Sequence, residues 1–399
     1  MPILKLQTSI MHYLWGGTDF ISNLLGIDNF AQEPFAELWI GAHRQAPCLT
    51  YWKGTQIALN QLIRREKDNI LGNYTYQKFG KRLPYLLKAL DVRQMLSIQV
   101  HPNKENAKKG FAKENKRNIS LSSPLRNYKD NNHKPEIMLA LSDFWLLHGF
   151  RSIQEIHDIL ENTPEFETLK PYFLEKNIQN LYKNIMEMPQ EQVNAILNPL
   201  LSRLKTKKLY KNSPDYWALL ADQQHHKNGD HDRGIFSIYL LNLLNLRQGQ
   251  AIFQDSGILH AYLEGTNIEL MANSDNVLRG GLTPKHISVN ALLKNTIFEP
   301  LEPQIIRSKQ LSETEKVFPT SAQDFELSEL EIAENQTHQS DYFHAPDSLL
   351  VIEGEIEIFT EQKTQTFKKG EAFFVSADLP YQIFGKTNSK IYKATVPIL

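Results

Sequence analysis

The hydrophobic period of this chain changes near residue 151 and again near residue 231, and these two changes restrict its folds more than any other feature. Between them Ile153, Ile156 and Leu160 fall at helical spacing. Ile178, Leu181, Tyr182 and Ile185 repeat it, and Val193, Ile196, Leu197, Leu200 and Leu204 follow Pro189, a residue suited to a helix start. Outside this block the pattern is short strands. Gly16-Gly17, Gly41 and Gly54 punctuate apolar stretches as turns do. Leu83–Ala89, Met95–His101 and Lys134–Leu141 read as strands, and Ile235–Leu246, apolar on both faces, reads as one buried strand. Segments near 258–263, 267–272 and 286–294 continue the β unit. From about 303, Ser348–Phe359, Phe367–Ser376 and Lys390–Val396 suggest a second sandwich or jelly roll. The expected fold is mainly β with an inserted α-helical domain. Its units are 1–150 with 231–302, 151–230, and 303–399.

Composition narrows the class. Acids and bases nearly balance at a net charge of −1, which points away from nucleic-acid and polybasic membrane surfaces. The single cysteine, Cys48, excludes an intrachain disulfide and a cysteine zinc site and suits a reducing compartment. No apolar run approaches the roughly 18 residues of a membrane span. The first residues lack a signal-peptide pattern, so a soluble cytoplasmic protein is expected. Any metal must be held by nitrogen and oxygen donors.

Three short segments supply such donors. In Ser97–Asn103 (SIQVHPN), strand alternation points Gln99 and His101 one way and Ile98 and Val100 the other. Asn103 then caps a short helix over 104–109, ended by Gly110, before a long polar loop over 111–133. The other donors are Glu136, after His133-Lys134-Pro135, and His260. Two imidazoles, a carboxylate and an amide oxygen suit Zn²⁺, the amide being the less usual donor. A lone strand histidine is more often a packed residue than a ligand. The weight comes from His260–Lys285, which gathers Glu264, Glu269, Asp275, Arg279 and Lys285 among tight turns. Asp275 and Arg279 are close enough in sequence to form a buried pair.

These segments carry a resemblance. Glu37–Gly41, Leu83–Ala89 (LPYLLKA), Ser97–Asn103, Asn127–Glu136 (NYKDNNHKPE), Asp232–Leu243 and His260–Lys285 resemble the type I mannose-6-phosphate isomerases, over most of residues 1–300 and more loosely beyond. The resemblance implies two cupin-like units, with a helical domain inserted in the first. It implies one zinc per chain on Gln99, His101, Glu136 and His260. It further implies interconversion of mannose 6-phosphate and fructose 6-phosphate. Such a reaction needs a base for a proton α to a carbonyl and positive charge where the enediolate develops. Lys134 and Lys88 are the candidate bases, Arg279 the electrophile, and His133 and Asp275 candidates for ring opening. Ser97, Lys88, Lys285 and Arg279 can bind the phosphate, Lys285 as a point charge. The expected partner is a small sugar phosphate, bound by a monomer or weak homo-oligomer with no nucleic-acid or membrane partner. Two rival readings are a different metal-dependent cupin enzyme, such as an Fe²⁺ oxygenase, and a non-catalytic sugar-phosphate-binding cupin.

Overall fold

The structure, a computed structural model, describes residues 2–340, 344–361 and 363–398. Its centre is one 13-residue strand, His260–Ala272. The second half pairs antiparallel with Tyr85–Val92 on one side and with Glu136–Ala140 on the other. The first half leaves that sheet and pairs with Phe144–Phe150 and, at His260, with Gln99 of Ile98–Val100. The strand therefore turns the corner between two faces of a β sandwich. Gly265 sits at the turn with φ 130°, and a Cβ there would lie 2.6 Å from the Phe144 ring and 2.7 Å from the Asp143 carbonyl oxygen. Only glycine fits such a corner. The two segments expected near 258–263 and 267–272 are thus one continuous element.

Alternation along these strands divides their side chains. Leu38, Ile40, Leu87, Ala89, Ile137, Leu139, Ile268 and Leu270 face outward and join Leu327, Leu350, Phe374, Tyr392 and Ala394 in one apolar core. The intervening residues Lys88, Glu136 and Glu269 face inward. The same period buries the seam between the two β units and lines a polar interior.

The C-terminal unit is a seven-stranded sheet facing a four-stranded one. Leu330, Leu349, Val351, Ile356, Phe373 and Ile391 fill the space between them. One of its two edge strands is Ile3–Leu6, paired with Ala372–Val375, so residues near the start of the chain complete a sheet built by residues near its end.

The helical block follows the expected periodicity. Ser152 and Glu155 form a capping box at Ile153–Asn162, Asn177 caps Ile178–Glu187, and Gln190–Leu204 begins after Pro189. Its apolar faces close over Ile98 and Val100, both fully buried. Burying each such side chain contributes about 1.5–3 kcal/mol, so the back of the Gln99 strand is anchored in the helical domain.

Three local expectations are corrected. Residues 234–246 are not one strand: Gly234–Leu240 is a helix and Leu241–Leu246 the strand after it. All seven helical residues are buried, so no polar face marks the period. The segment near 286–294 holds a helix, Val289–Asn295. The helix capped by Asn103 runs on through Gly110 to Lys116. Gly110 ends nothing; it makes room for Tyr128, whose ring would lie 2.4 Å from an added Cβ. Among the described residues no helix is long and apolar enough to cross a membrane.

Candidate metal centre

His101 follows the strand Ile98–Val100, Glu136 opens Glu136–Ala140, and His260 opens the long central strand. Their donors converge. His101 Nε2 lies 3.4 Å from Glu136 Oε1, and His260 Nε2 lies 3.4 Å from Glu136 Oε2. All three residues are at most 1% exposed. His101 Nδ1 donates to the Asn276 carbonyl at 2.7 Å and His260 Nδ1 to the Ile258 carbonyl at 2.9 Å. Each bond fixes a tautomer whose Nε2 lone pair points inward. Among the described residues those two Nε2 atoms and Glu136 Oε2 have no hydrogen-bond partner. Buried polar atoms are rarely left so, because each costs about 1–3 kcal/mol. A divalent ion on two imidazoles and a carboxylate relieves all three, and the donor set suits zinc.

Cross-strand register supplies the neighbours. His260 lies opposite both Gln99 and His148, and Gln99 lies opposite Arg279. Directly opposed residues share a sheet face, so His148, His260, Gln99 and Arg279 form one row across four strands. Gln99 is thus placed beside His260, as the ligand reading requires. Burial, with His260 adjacent, pushes the His148 imidazole down to about 3. Burial and the Lys134 charge push His101 down to about 4, which keeps it neutral as a ligand must be.

The lysines differ. Lys134 Nζ contacts Glu136 Oε1 at 2.7 Å, beside the convergent donors. Lys88 Nζ contacts Glu269 at 2.9 Å and Glu37 at 3.3 Å. Burial alone would lower the Lys88 ammonium, but the two carboxylates outweigh it and hold it protonated. This pairing favours Lys88 as a charged group over Lys88 as a free amine. Glu269 also accepts from the Tyr262 hydroxyl at 2.9 Å.

Two further expectations are corrected. Asp275 does not pair with Arg279: its oxygens lie 3.3 Å from His43 Nε2 and 3.0 Å from Arg44 Nη2. Among the described residues Arg279 has no carboxylate partner, and burial lowers its pKa. His133 does not turn into the site, since its Nε2 lies 2.8 Å from Asp324 Oδ2 in the C-terminal unit. Lys285 is largely exposed, and its pKa is lowered by partial burial and, after that, by the charge of Arg279. Ser97 sits two residues before Gln99 at intermediate burial. The sequence reading gave no part to Glu37, His43, His148, Tyr262 or Asn276, and noted Glu269 without a role.

Comparisons with known proteins agree with this geometry. A family model described as phosphomannose isomerase type I, catalytic domain, matches residues 3–153. One described as mannose-6-phosphate isomerase, cupin domain, matches residues 314–389. The chain is 35% identical to the mannose-6-phosphate isomerase of Salmonella typhimurium over 380 residues, covering 94% of this chain and 95% of that one. It is 34% identical to the Homo sapiens enzyme over 324 residues, covering 75% and 74%. A crystal structure of the Salmonella typhimurium enzyme bound to fructose 6-phosphate and zinc superposes over all of both chains with a TM-score of 0.90 at 34% identity. With its fold, its inward-facing donors and its full-length relatives in accord, the chain belongs to the type I phosphomannose isomerase family.

Proposed function

We propose that this chain is a zinc-dependent aldose–ketose isomerase that interconverts D-mannose 6-phosphate and D-fructose 6-phosphate. The observation that carries the reading is the convergence of three buried donor atoms with no hydrogen-bond partner, His101 Nε2, His260 Nε2 and Glu136 Oε2. They sit in the same sheet as Arg279, which has no carboxylate partner among the described residues. Gln99 is the proposed fourth ligand. The related enzyme's structure with zinc and fructose 6-phosphate supports both ion and substrate. Bound there, zinc would act as a Lewis acid toward the substrate's carbonyl and hydroxyl oxygens.

The remaining steps fall to side chains. Arg279 offers its planar fork to the oxygen on which enediolate charge grows, and among the described residues pairs with no carboxylate that would blunt it. Lys134, beside Glu136, is the proposed carrier of the proton between C2 and C1. Lys88, held charged by Glu37 and Glu269, supplies fixed positive charge. Asp275 with His43 is the proposed acid–base couple for ring opening, a role for which His133, engaged by Asp324, is less suited. Lys285 and Ser97 are the proposed phosphate contacts. The proposed units are 1–150 with 231–302, 151–230 and 303–399, with the strand Ile3–Leu6 lent by the first to the sheet of the last. A cytoplasmic monomer or weak homo-oligomer without nucleic-acid or membrane partners completes the reading.

A coupled assay on mannose 6-phosphate, run with and without chelator, tests the function. Isomerisation that stops on chelation and returns with Zn²⁺ is expected. Oxygen uptake without isomerisation would favour the iron oxygenase instead, and sugar-phosphate binding without turnover would favour a sensor.

A further inference from the structure

The helical domain holds a second convergence of donors, remote in sequence from the first. Asp222 lies on the helix Pro214–His225 and His226 caps its end, one turn later. The loop beyond returns His231 to them. His231 Nδ1 is 2.5 Å from Asp222 Oδ1, His226 Nδ1 is 3.2 Å from His231 Nδ1, and His226 Nδ1 is 3.4 Å from Asp222 Oδ1. Asp222 and His231 are buried at 7% and 6% exposure, while the His226 side chain is 40% exposed.

Orientation matters as much as distance. His231 Nε2 contacts Asn198 Oδ1 at 2.9 Å. Donating there turns Nδ1 toward the Asp222 carboxylate and the second imidazole, with a proton shared between Nδ1 and Asp222 Oδ1. As at His101 and His260, an oxygen holds one ring nitrogen and aims the other at a carboxylate, although here that second nitrogen is bonded to the carboxylate. The loop is pre-set: Asn194 accepts from the His231 backbone N–H and donates to Asp230, and Gln190 donates to the His231 carbonyl. Tetrahedral zinc, with bonds of about 2.0–2.1 Å, sets its ligand atoms about 3.3 Å apart. Two edges of the triangle already meet that spacing. The third, 2.5 Å, is a proton-bridged contact that opens when the ion replaces the proton.

We propose that Asp222, His226 and His231 form a second metal site, which takes one zinc-class ion with water in its open position. Two imidazoles and one carboxylate favour zinc, nickel or copper over calcium or magnesium. With three protein ligands, one of them exposed, it should fill after the catalytic site. Its neighbour Asp232 accepts from the backbone N–H groups of Gly234, Leu282 and Thr283, so the ion would brace the loop that follows Arg279.

The test is equilibrium dialysis of the full chain against Zn²⁺, with metal counted by mass spectrometry. Two ions per chain are expected for the natural sequence, and one for His226→Ala with its turnover retained. His231→Gln should also bind one. One ion per chain in the natural sequence overturns the proposal, because the Asp222–His231 contact is then only a hydrogen-bonded pair; so do two ions in an active His226→Ala protein. If either variant fails to fold, the natural chain's count still decides.

Discussion

Glu269→Gln isolates the anchoring of the Lys88 ammonium. At an effective dielectric constant of about 20, the 2.9 Å contact with Glu269 is worth about 6 kcal/mol of gross attraction and the 3.3 Å contact with Glu37 about 5 kcal/mol. The net cost of removing one partner from a buried pair is smaller, about 3–5 kcal/mol. Because Glu37 survives, the lower end applies, about 3 kcal/mol. Glutamine keeps the shape and a polar neighbour for Tyr262, so the change is electrostatic. With Glu37 still in place the ammonium stays charged, so what is lost is its anchoring; if that placement is used in the transition state, kcat falls about 10²-fold with KM little changed. The coupled isomerase assay gives both constants, and metal analysis of the same preparation shows whether the zinc is still bound. A natural kcat with full zinc would refute the reasoning. So would a loss of rate that tracks a loss of zinc, since Glu269 would then only support the metal centre.

Other expectations follow from the same geometry. Arg279→Lys should lower kcat about 10–10²-fold, more than it raises KM, because a point charge replaces a planar fork; steady-state kinetics on both sugar phosphates checks it. Asp275 has its pKa lowered: burial would raise it, but His43 and Arg44 outweigh burial. Its contribution to stability is therefore present above its unfolded value of about 3.9 and lost as pH falls through the lower folded one. Between pH 5.5 and 3 the unfolding midpoint of the natural chain should fall further than that of Asp275→Asn. Leu270, fully buried where the two β units meet, should cost about 2–5 kcal/mol as Leu270→Ala, read from urea unfolding.

What could be read from the residues was local and periodic. The helices over 153–204 declared themselves because each has a polar side facing water. The Gln99-Val100-His101 alternation was equally legible, since Ile98 and Val100 needed a core and found one. Gly234–Leu240 was hidden because it is buried all round and so lacks a period. Glu269 went without a role because its meaning lies in Lys88, 181 residues away, and only strand register brings them together. Asp275 and Arg279 misled by their closeness in sequence. Arg279 lies on the strand Leu278–Gly281 beside Gln99, while Asp275 precedes that strand and meets the distant His43 and Arg44. The strand Ile3–Leu6 carried no sign that its partner lay near the other end of the chain.

The central claim is that His101, Glu136 and His260, with Gln99, hold one zinc on which isomerisation depends. Its most direct test strips the protein with chelator and returns zinc stepwise while turnover of mannose 6-phosphate is followed. Activity should rise with the first equivalent and then stay level. Full turnover from protein shown to be free of metal would contradict the account.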